Sequence, residues 1–294
     1  MTTFLVTHGV FPLYQIADDV ILVWMSELPP PEGLANNIIR AYDYFDHPTL
    51  LHDKLSGSLG ALAILRYLRE NQGERPEKIN ICSYRKFVCR FSVGKPNYAF
   101  KKVPASNYLG MQILDQHHAD HMRAYPFGCE PELVVAAKRN FPEKILKQFA
   151  NCHKTEHLLL LLSAAIATDC ISRKAAAKAL EAETFIPGGV EVGVFPMDFW
   201  VKNMSKIEQA IFYYFDHYWK DDLAREAQFR ELSFALERLG SFIVLEYIKE
   251  RKVSGHNIQN PHGFMHTVIT DGLEERNSLE QIYYGLRARV KKRR

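Results

Sequence analysis

The sequence predicts an α/β protein that begins with a sheet layer and continues as a largely helical second half. Three short apolar runs, over residues 4–7, 20–24 and 79–82, indicate buried strands. Between the second and third runs, leucines repeat at helical spacing from Leu55 to Leu68, which predicts a helix over residues 55–71. Strands and a helix in this order are typical of a layered α/β fold.

The second half has one interruption. Helical periodicity is present over residues 106–124, 130–150, 155–183, 204–219 and 221–251. At residues 186–196, paired glycines precede alternating apolar residues, which predicts a turn and a strand that returns to the sheet. We therefore expect a single domain over residues 1–286, with its α/β core at about 1–104 and 186–200, and a basic tail at 287–294.

The composition is that of a soluble globular protein. Of the 294 residues, 47% are hydrophobic and 24% are charged, which is ordinary for this class. Five scattered cysteines without a CxxC pair argue against a disulfide framework and indicate a reducing compartment. The amino terminus lacks the features of a signal peptide, and the longest apolar run, residues 158–167, is far shorter than the roughly 20 residues that span a bilayer. We expect a cytoplasmic protein.

Positive charge is concentrated at the carboxyl terminus. Residues 287–294 carry six positive charges, while the rest of the chain has 31 basic against 34 acidic residues. Because no aromatic stacking platform accompanies the tail, it does not indicate a nucleic-acid-binding protein. Two interpretations stay open: peripheral contact with an anionic membrane at its inner face, and a solubilising terminus.

The run Ser83-Tyr84-Arg85-Lys86-Phe87 follows the third predicted strand directly. In a sheet-based enzyme, ligands bind in the crevice at the carboxyl ends of the strands. A tyrosine ring, a guanidinium fork and a mobile ammonium at that place suit a phosphorylated, ring-bearing ligand such as a nucleotide. The alternative is a solvated loop with an exposed basic pair.

A histidine-rich segment is the densest group of titratable residues. His117 and His121 are four residues apart, so on a helix both rings would face one way and could hold a metal. No HExxH pattern completes such a site, and a histidine here, such as His118, could instead face a ligand as a hydrogen-bond donor or base. The chain also contains no DxD, P-loop, GxGxxG or GxSxG motif.

Arg230 and Glu237 are two helical turns apart on one predicted helix, so they share a face. Arg238 follows Glu237 directly. The residues alone favour a structural ion pair, which stabilises weakly but is costly to break.

These pieces, in this order, resemble a family of bacterial capsular-polysaccharide and exopolysaccharide transferases with a His-Tyr-Arg-Arg-Tyr/Phe hallmark after a strand. The likeness spans roughly residues 3–250 and depends more on the order of elements than on identity. The matching pieces are Val6-Thr7-His8, the helix at 55–71, Ser83-Tyr84-Arg85-Lys86-Phe87, the segment around His118, Glu130-Pro131, residues 194–201, and Arg230 with Glu237-Arg238-Leu239.

The resemblance implies a GT-A-like, Rossmann-like sheet and a glycosyltransferase that moves a sugar from a nucleotide-sugar to a growing surface polysaccharide or glycan. Thr7 and His8 would line the nucleotide site, and Tyr84 would contact the base or ribose. Arg85 and Lys86 would neutralise the leaving diphosphate, a role in which positive side chains can replace a metal. No divalent metal is therefore implied by the sequence, which has no DxD.

The matched late helix adds Arg230 and Arg238 to the donor-binding set. The candidates for the general base are Glu237, Asp198 and His118.

The hallmark departs from the family at two positions. Its histidine is Ser83 here, which can donate a hydrogen bond but cannot act as a base, and its second arginine is Lys86, which keeps the charge without the bidentate geometry. Two other functions therefore stay open. One is a non-catalytic binding or scaffolding protein of transferase fold, and the other is a metal hydrolase centred on His117, His118 and His121.

Overall fold

The computed structural model describes residues 1–13, 18–71, 73, 76–102, 111–115, 132–219, 230–256, 258, 260–269 and 274–292. Four parallel strands form one half of its main sheet, in the order β3-β2-β1-β4. They are β1 (Thr2–Thr7), β2 (Ile21–Trp24), β3 (Asn37–Arg40) and β4 (Lys78–Ser83). The three predicted strands β1, β2 and β4 are confirmed. Because the four run in one direction, their carboxyl ends lie at one edge of the sheet.

Two helices, α1 (Pro48–Leu55) and α2 (Gly57–Glu70), precede β4. The predicted single helix therefore begins two residues later than expected, and a separate short helix comes before it. The break lies at Ser56, whose backbone has φ +48° and cannot continue either helix. Gly60 brings α2 against β1, since a β-carbon there would lie 2.5 Å from Val6 Cγ1.

The other half of the sheet follows the order β4-β5-β12-β7-β6. Its strands are β5 (Lys86–Cys89), β6 (Lys95–Pro96), β7 (Met111–Asp115) and β12 (His262–Ile269). The strand β11 (Gly193–Pro196) pairs antiparallel with β4, which confirms the predicted turn and returning strand. The strand β8 (Val135–Ala136) pairs with β12, and β9 (Arg139–Asn140) pairs with β10 (Thr184–Phe185).

Six further helices lie within the described residues. They are α3 (Ile145–Ala150), α4 (Thr155–Ala167), α5 (Arg173–Glu181), α6 (Met197–His217), α7 (Glu231–Val253) and α8 (Ser278–Lys292). None of the helices in this part of the chain is long and apolar enough to cross a membrane.

The second half contains less helix than its periodicity predicted. Residues 111–115, predicted to be helical, form β7, and the rest of the predicted helix over 106–124 lies mostly outside the described residues. Within 130–150, only Ile145–Ala150 is α-helical, because Val135–Ala136 and Arg139–Asn140 pair with other strands. The predicted basic tail also begins inside a helix, since α8 continues to Lys292.

The main core lies between the sheet and the helices α2, α4, α6 and α7. Its largest fully buried side chains include Trp200, Tyr214, Phe4, Phe149 and Phe195. Aromatic side chains of this size bury much apolar area and dominate the energetics of a core. This packing holds β1 and β4 in place, and so fixes the position of their carboxyl ends.

Candidate functional site

Tyr84 and Arg85 form the turn between β4 and β5, and backbone hydrogen bonds fix this turn on three sides. The Tyr84 N–H donates to the Val6 carbonyl at 2.8 Å, which places the turn beside the end of β1. The Leu13 N–H donates to the Tyr84 carbonyl at 2.7 Å, and the Val268 N–H donates to the Arg85 carbonyl at 2.9 Å. Because backbone groups hold the turn, the half-buried Tyr84 ring and the exposed Arg85 side chain stay accessible to a ligand.

His8 follows β1 directly and begins a chain of polar rings. Its Nδ1 atom lies 2.7 Å from Nε2 of His52, and Nδ1 of His52 lies 2.6 Å from the Tyr42 hydroxyl. The two imidazoles are stacked with centroids 5.0 Å apart. The Tyr84 ring stands edge-on to His8 at a centroid distance of 5.8 Å. The chain therefore connects the edge of the sheet at Tyr84 with the segment before α1.

The surroundings of His8 are positively charged. Burial is the main cause that lowers the pKa of His8 from 6.5 to about 4, and the charges of His52, Arg230, Arg85 and Lys86 lower it further. The last three come from the start of α7, the β4–β5 turn and the start of β5. Within the part of the chain that the structure describes, none of the three takes part in an ion pair. Cations that gather around one residue without an ion-pair partner in this part of the chain attract anions.

Arg230 precedes α7 with a left-handed backbone, φ +80° and ψ +12°. For a residue other than glycine this conformation costs on the order of 1 kcal/mol and persists only where the surroundings fix it. The next residue, Glu231, is buried, and its Oε2 lies 3.0 Å from Nε2 of His157. The His157 Nδ1 in turn lies 2.7 Å from the Tyr214 hydroxyl. This buried group anchors the first turn of α7 and so fixes the exposed Arg230 beside the site.

Glu191 belongs to the same place, although the sequence did not indicate it. In the β11–β4 pairing Gly193 lies opposite Ile81, so the chain at Glu191 runs past the carboxyl end of β4. The Ser58 hydroxyl donates to Oε1 of Glu191. The other oxygen, Oε2, lies over the start of α2, since a β-carbon on Gly57 would be 3.2 Å from it.

Glu191 keeps its proton at neutral pH. Burial raises the pKa of this carboxyl to about 8. The Ser58 hydrogen bond opposes the rise, the charge of Glu237 adds to it, and Lys86 opposes it. A protonated carboxyl whose Oε1 already accepts from Ser58 can donate a hydrogen bond from Oε2.

Glu237 and Arg238 are neighbours on α7, but their side chains make different contacts. Oε1 of Glu237 accepts from the Gly188 N–H at 2.8 Å, and Oε2 lies 3.0 Å from Nη1 of Arg238. The Arg238 guanidinium packs 4.4 Å from the Phe185 ring centroid and donates to Oε1 of Gln148 at 3.1 Å. Arg238 therefore points into the helical half and orients Glu237, and the structure does not bring it to the cations around His8.

Lys86 links the cations to the two carboxyls. Burial lowers the pKa of its ammonium, while the charge of Glu237 raises it; Arg85 lowers it and Glu191 raises it. An ammonium between a guanidinium and two carboxyl groups is partly desolvated already, so an incoming anion would interact with it strongly.

Three other residues were predicted to belong to the site, and their positions differ from one another. Thr7 lies at the carboxyl end of β1 as expected, but its side chain is fully buried and its hydroxyl has no hydrogen-bond partner among the described residues. Asp198 is exposed at the opposite edge of the sheet, because Pro196 pairs with Lys78 at the beginning of β4. The structure therefore does not bring Asp198 to this site. His118 lies outside the described residues.

No metal centre is present among the described residues, where no group of three or more His, Cys, Asp or Glu side chains could hold an ion. His117 and His121 lie outside that part of the chain, so the metal-hydrolase interpretation stays a prediction.

Sequence reasoning missed Glu191, His52 and Tyr42 for different reasons. Glu191 follows the paired glycines of a predicted turn that returns to the sheet, so an acidic residue just before that strand was an available signal. His52 and Tyr42 carry no local signal, because His52 meets His8 across 44 residues of sequence.

Comparison with solved structures finds this fold in part of a glycosyltransferase. A structure described as the apo form of WbbM, a bifunctional glycosyltransferase, matches this chain with a TM-score of 0.62 and 10% sequence identity. The match covers 93% of this chain and 46% of that chain, so this chain spans about half of the matched chain's length. No protein-family model matches the sequence, and no curated protein matches it. The predicted GT-A-like α/β fold is thus confirmed, and the likeness concerns the fold alone.

Proposed function

We propose that this chain is a glycosyltransferase that binds a nucleoside-diphosphate sugar at the carboxyl edge of β1 and β4. The observation that carries the proposal is the arrangement of Arg85, Lys86 and Arg230 around His8, without an ion-pair partner among the described residues. A diphosphate brings negative charge to such a place and satisfies all three cations at once. The fold, which part of a known glycosyltransferase shares, supports this class of reaction.

Each side chain at the edge has a part in holding the donor. The accessible Tyr84 ring would pack on the base or ribose, and the exposed Arg85 guanidinium would take two phosphate oxygens as a planar fork. Lys86 and Arg230 would add their positive charges beside it. Glu191, which holds a proton at neutral pH, would donate a hydrogen bond to an oxygen of the donor.

The transfer itself breaks the bond between the sugar and the diphosphate and forms a bond from the sugar to an acceptor hydroxyl oxygen. Negative charge develops on the leaving diphosphate, and preorganised cations stabilise it without a metal ion. The hydroxyl proton must go to a base, and Glu237 is the proposed acceptor because its charge acts on both Lys86 and Glu191. The Gly188 N–H and Arg238 hold this carboxylate in place.

The acceptor is proposed from the family resemblance. The order of motifs around Ser83-Tyr84-Arg85-Lys86-Phe87 resembles transferases of bacterial surface polysaccharides, so the acceptor would be a growing polysaccharide or glycan in the cytoplasm. The substitution of Ser83 for the hallmark histidine removes a base from that position and is consistent with a binding role for the turn.

A panel of nucleoside diphosphates and nucleotide-sugars tests the proposal in two stages. We expect at least one of them to raise the melting temperature, because a ligand that binds only the folded state stabilises it. The stabilising sugar nucleotide should then release its nucleoside diphosphate in the presence of glycan acceptors, also with a metal chelator added. Stabilisation without turnover would support the non-catalytic alternative, and no stabilisation by any member of the panel would contradict the donor site.

A further inference from the structure

The helix α8 exposes a continuous apolar stripe. Its members are 55% to 79% exposed. They are Leu279, Ile282, Tyr283, Leu286 and Val290. At about 100° per residue these positions fall within an arc of about 100°, so they form one narrow band along about three turns of the helix. Large apolar side chains that are exposed together, rather than singly, mark an interaction surface.

The opposite face of α8 already has a partner within the protein. The Arg276 guanidinium lies 3.9 Å from the Tyr284 ring centroid, and the Gln281 amide donates to the Arg276 carbonyl at 2.8 Å. Gly285 faces Tyr98, whose ring atoms would lie 3.7 Å from a β-carbon at that position. Tyr284 and Gly285 therefore pack on the body of the protein, and the apolar stripe is turned away from it.

The charge of the helix indicates which kind of surface the apolar stripe would bind. The sequence of α8 contains one acidic residue, Glu280, and four basic residues, Arg287, Arg289, Lys291 and Lys292. Arg293 and Arg294 follow in the sequence, so basic residues are concentrated toward the carboxyl terminus. An anionic surface is complementary to this charge. A second copy of the same helix brings the same excess of positive charge and is less well matched.

The length of α8 decides between crossing and lying on a bilayer. The helix has 15 residues, and about 20 apolar residues are needed to span the hydrocarbon core. A helix with a narrow apolar band and a basic end lies in the interface, with its apolar side chains below the headgroups and its cations against lipid phosphates. Tyr283 suits this position, since tyrosine has an apolar ring and a polar tip.

We propose that α8 docks the protein on an anionic membrane surface, with the stripe from Leu279 to Val290 inserted and the basic end against the headgroups. Membrane contact of the basic tail at 287–294 was one of the two interpretations that the sequence left open, and this proposal extends the contact over the whole helix. This proposal is independent of the glycosyltransferase activity, since α8 contributes no residue to the cation site at His8.

Vesicle flotation with the full chain tests the proposal. The probes are vesicles of phosphatidylcholine alone and vesicles that contain roughly three parts in ten of phosphatidylglycerol. We expect the protein to float with the anionic vesicles and to bind them at least about tenfold more tightly than the neutral ones. High salt should release part of the bound protein, because the electrostatic attraction is screened.

A double variant and a matched control test the contribution of the stripe. In the variant Ile282→Ser with Leu286→Ser, binding to anionic vesicles should fall at least about tenfold, because two inserted side chains are lost. The matched control is Val253→Ser, which removes an apolar side chain that is 81% exposed at the end of α7; its binding should equal that of the unchanged protein. Circular dichroism checks that both variants fold.

Three results would overturn the proposal. The double variant could float as well as the unchanged protein. The unchanged protein could also bind neutral and anionic vesicles with equal affinity. Alternatively, the protein could fail to bind either kind of vesicle and form a dimer at high concentration, while the double variant stays monomeric. That result would assign the stripe to contact with a second copy of the chain.

Discussion

The Nδ1 atom of His8 lies 2.7 Å from the Nε2 atom of His52. Two imidazole nitrogens can approach this closely only when one donates a proton to the other, so the two rings share a single hydrogen. Burial and, after it, the positive surroundings keep His8 neutral, with a pKa of about 4. The protonation of this pair therefore depends on the charge of a ligand bound beside His8.

Donor binding should be coupled to proton uptake at His8. A bound diphosphate places negative charge near the ring and raises its pKa from about 4 toward the ordinary value of 6.5. The complex then holds more protons than the free protein, so affinity should increase as the pH falls from about 7 to about 5, by at most about tenfold per pH unit. Calorimetry in two buffers of different ionisation enthalpy measures the uptake directly.

The ligand and the control for this measurement follow from the same chemistry. A nucleotide-sugar is the better ligand, since its phosphates lack the second ionisation near pH 6 of a terminal phosphate. The variant His8→Asn should bind with little dependence on pH, while His256→Asn, at an exposed histidine after α7, should behave like the unchanged protein. Equal affinity at both ends of the pH range in the unchanged protein contradicts the coupling.

Glu191 should make the folded state less stable as the pH rises. Its pKa is about 8 in the folded protein and 4.5 when unperturbed. Between these values the unfolded chain has lost the proton that the folded chain retains, so the free energy of unfolding falls with increasing pH. The variant Glu191→Gln lacks this penalty, and it should gain on the order of 2 kcal/mol over the unchanged protein between about pH 5 and pH 8.

Melting temperatures of the two proteins across this range provide the check, with an expected relative gain of a few degrees. If the difference between the two proteins stays constant from acid to alkaline pH, Glu191 does not hold its proton as described.

Glu237 is expected to matter for turnover more than for donor binding. The variant Glu237→Gln keeps an oxygen that can accept from the Gly188 N–H but cannot take a proton from an acceptor hydroxyl. We expect the turnover number to fall by about 100-fold or more, the usual range for a lost general base. Steady-state kinetics and donor affinity should be measured together, with Glu250→Gln, an exposed carboxyl on the same helix, as the control. A loss in donor affinity alone would assign Glu237 to binding.

The buried contact of Glu231 should stabilise both the fold and the position of Arg230. Glu231 is 3% exposed, and its removal would take away the carboxylate oxygen that lies 3.0 Å from Nε2 of His157 and the one that accepts from the Lys154 N–H at 3.4 Å. The variant Glu231→Ala should lose about 2–4 kcal/mol of stability. Denaturant unfolding measures this loss, and Glu250→Ala on the exposed end of α7 should change it little. A similar stability for both variants would mean that this contact does not anchor α7.

The strands that could be predicted are those whose apolar runs are local and bounded. β1, β2, β4 and β11 each lie in a short apolar segment beside polar or glycine-containing residues, and these strands are present. β12 could not be foreseen, because its residues gain their strand partners from β5 and β7, far away in sequence. The prediction of a helix at Met111–Asp115 was wrong for the same reason. Its pairing with β12, which is distant in sequence, outweighs the local helical periodicity.

In the site, too, local signals could be predicted and contacts between distant segments could not. Tyr84, Arg85 and Lys86 are contiguous and directly follow a strand, so the chain itself indicated them. A donor-binding role for Arg230 was indicated only through the family resemblance. The partners that shape the site, His52, Tyr42 and Glu191, reach it from α1, the segment before α1 and the turn before β11, and only the fold brings them together.

The affinity of a nucleotide-sugar for the variant Arg85→Ala tests the central claim most directly. The matched control is Arg90→Ala, which removes another exposed arginine, from the far end of β5 and roughly 15 Å along the strand from Arg85. If cations at the β4–β5 turn hold the diphosphate, Arg85→Ala weakens binding by at least about tenfold, or about 1.4 kcal/mol, and Arg90→Ala leaves it unchanged. Equal affinities for Arg85→Ala, Arg90→Ala and the unchanged protein would contradict the donor site.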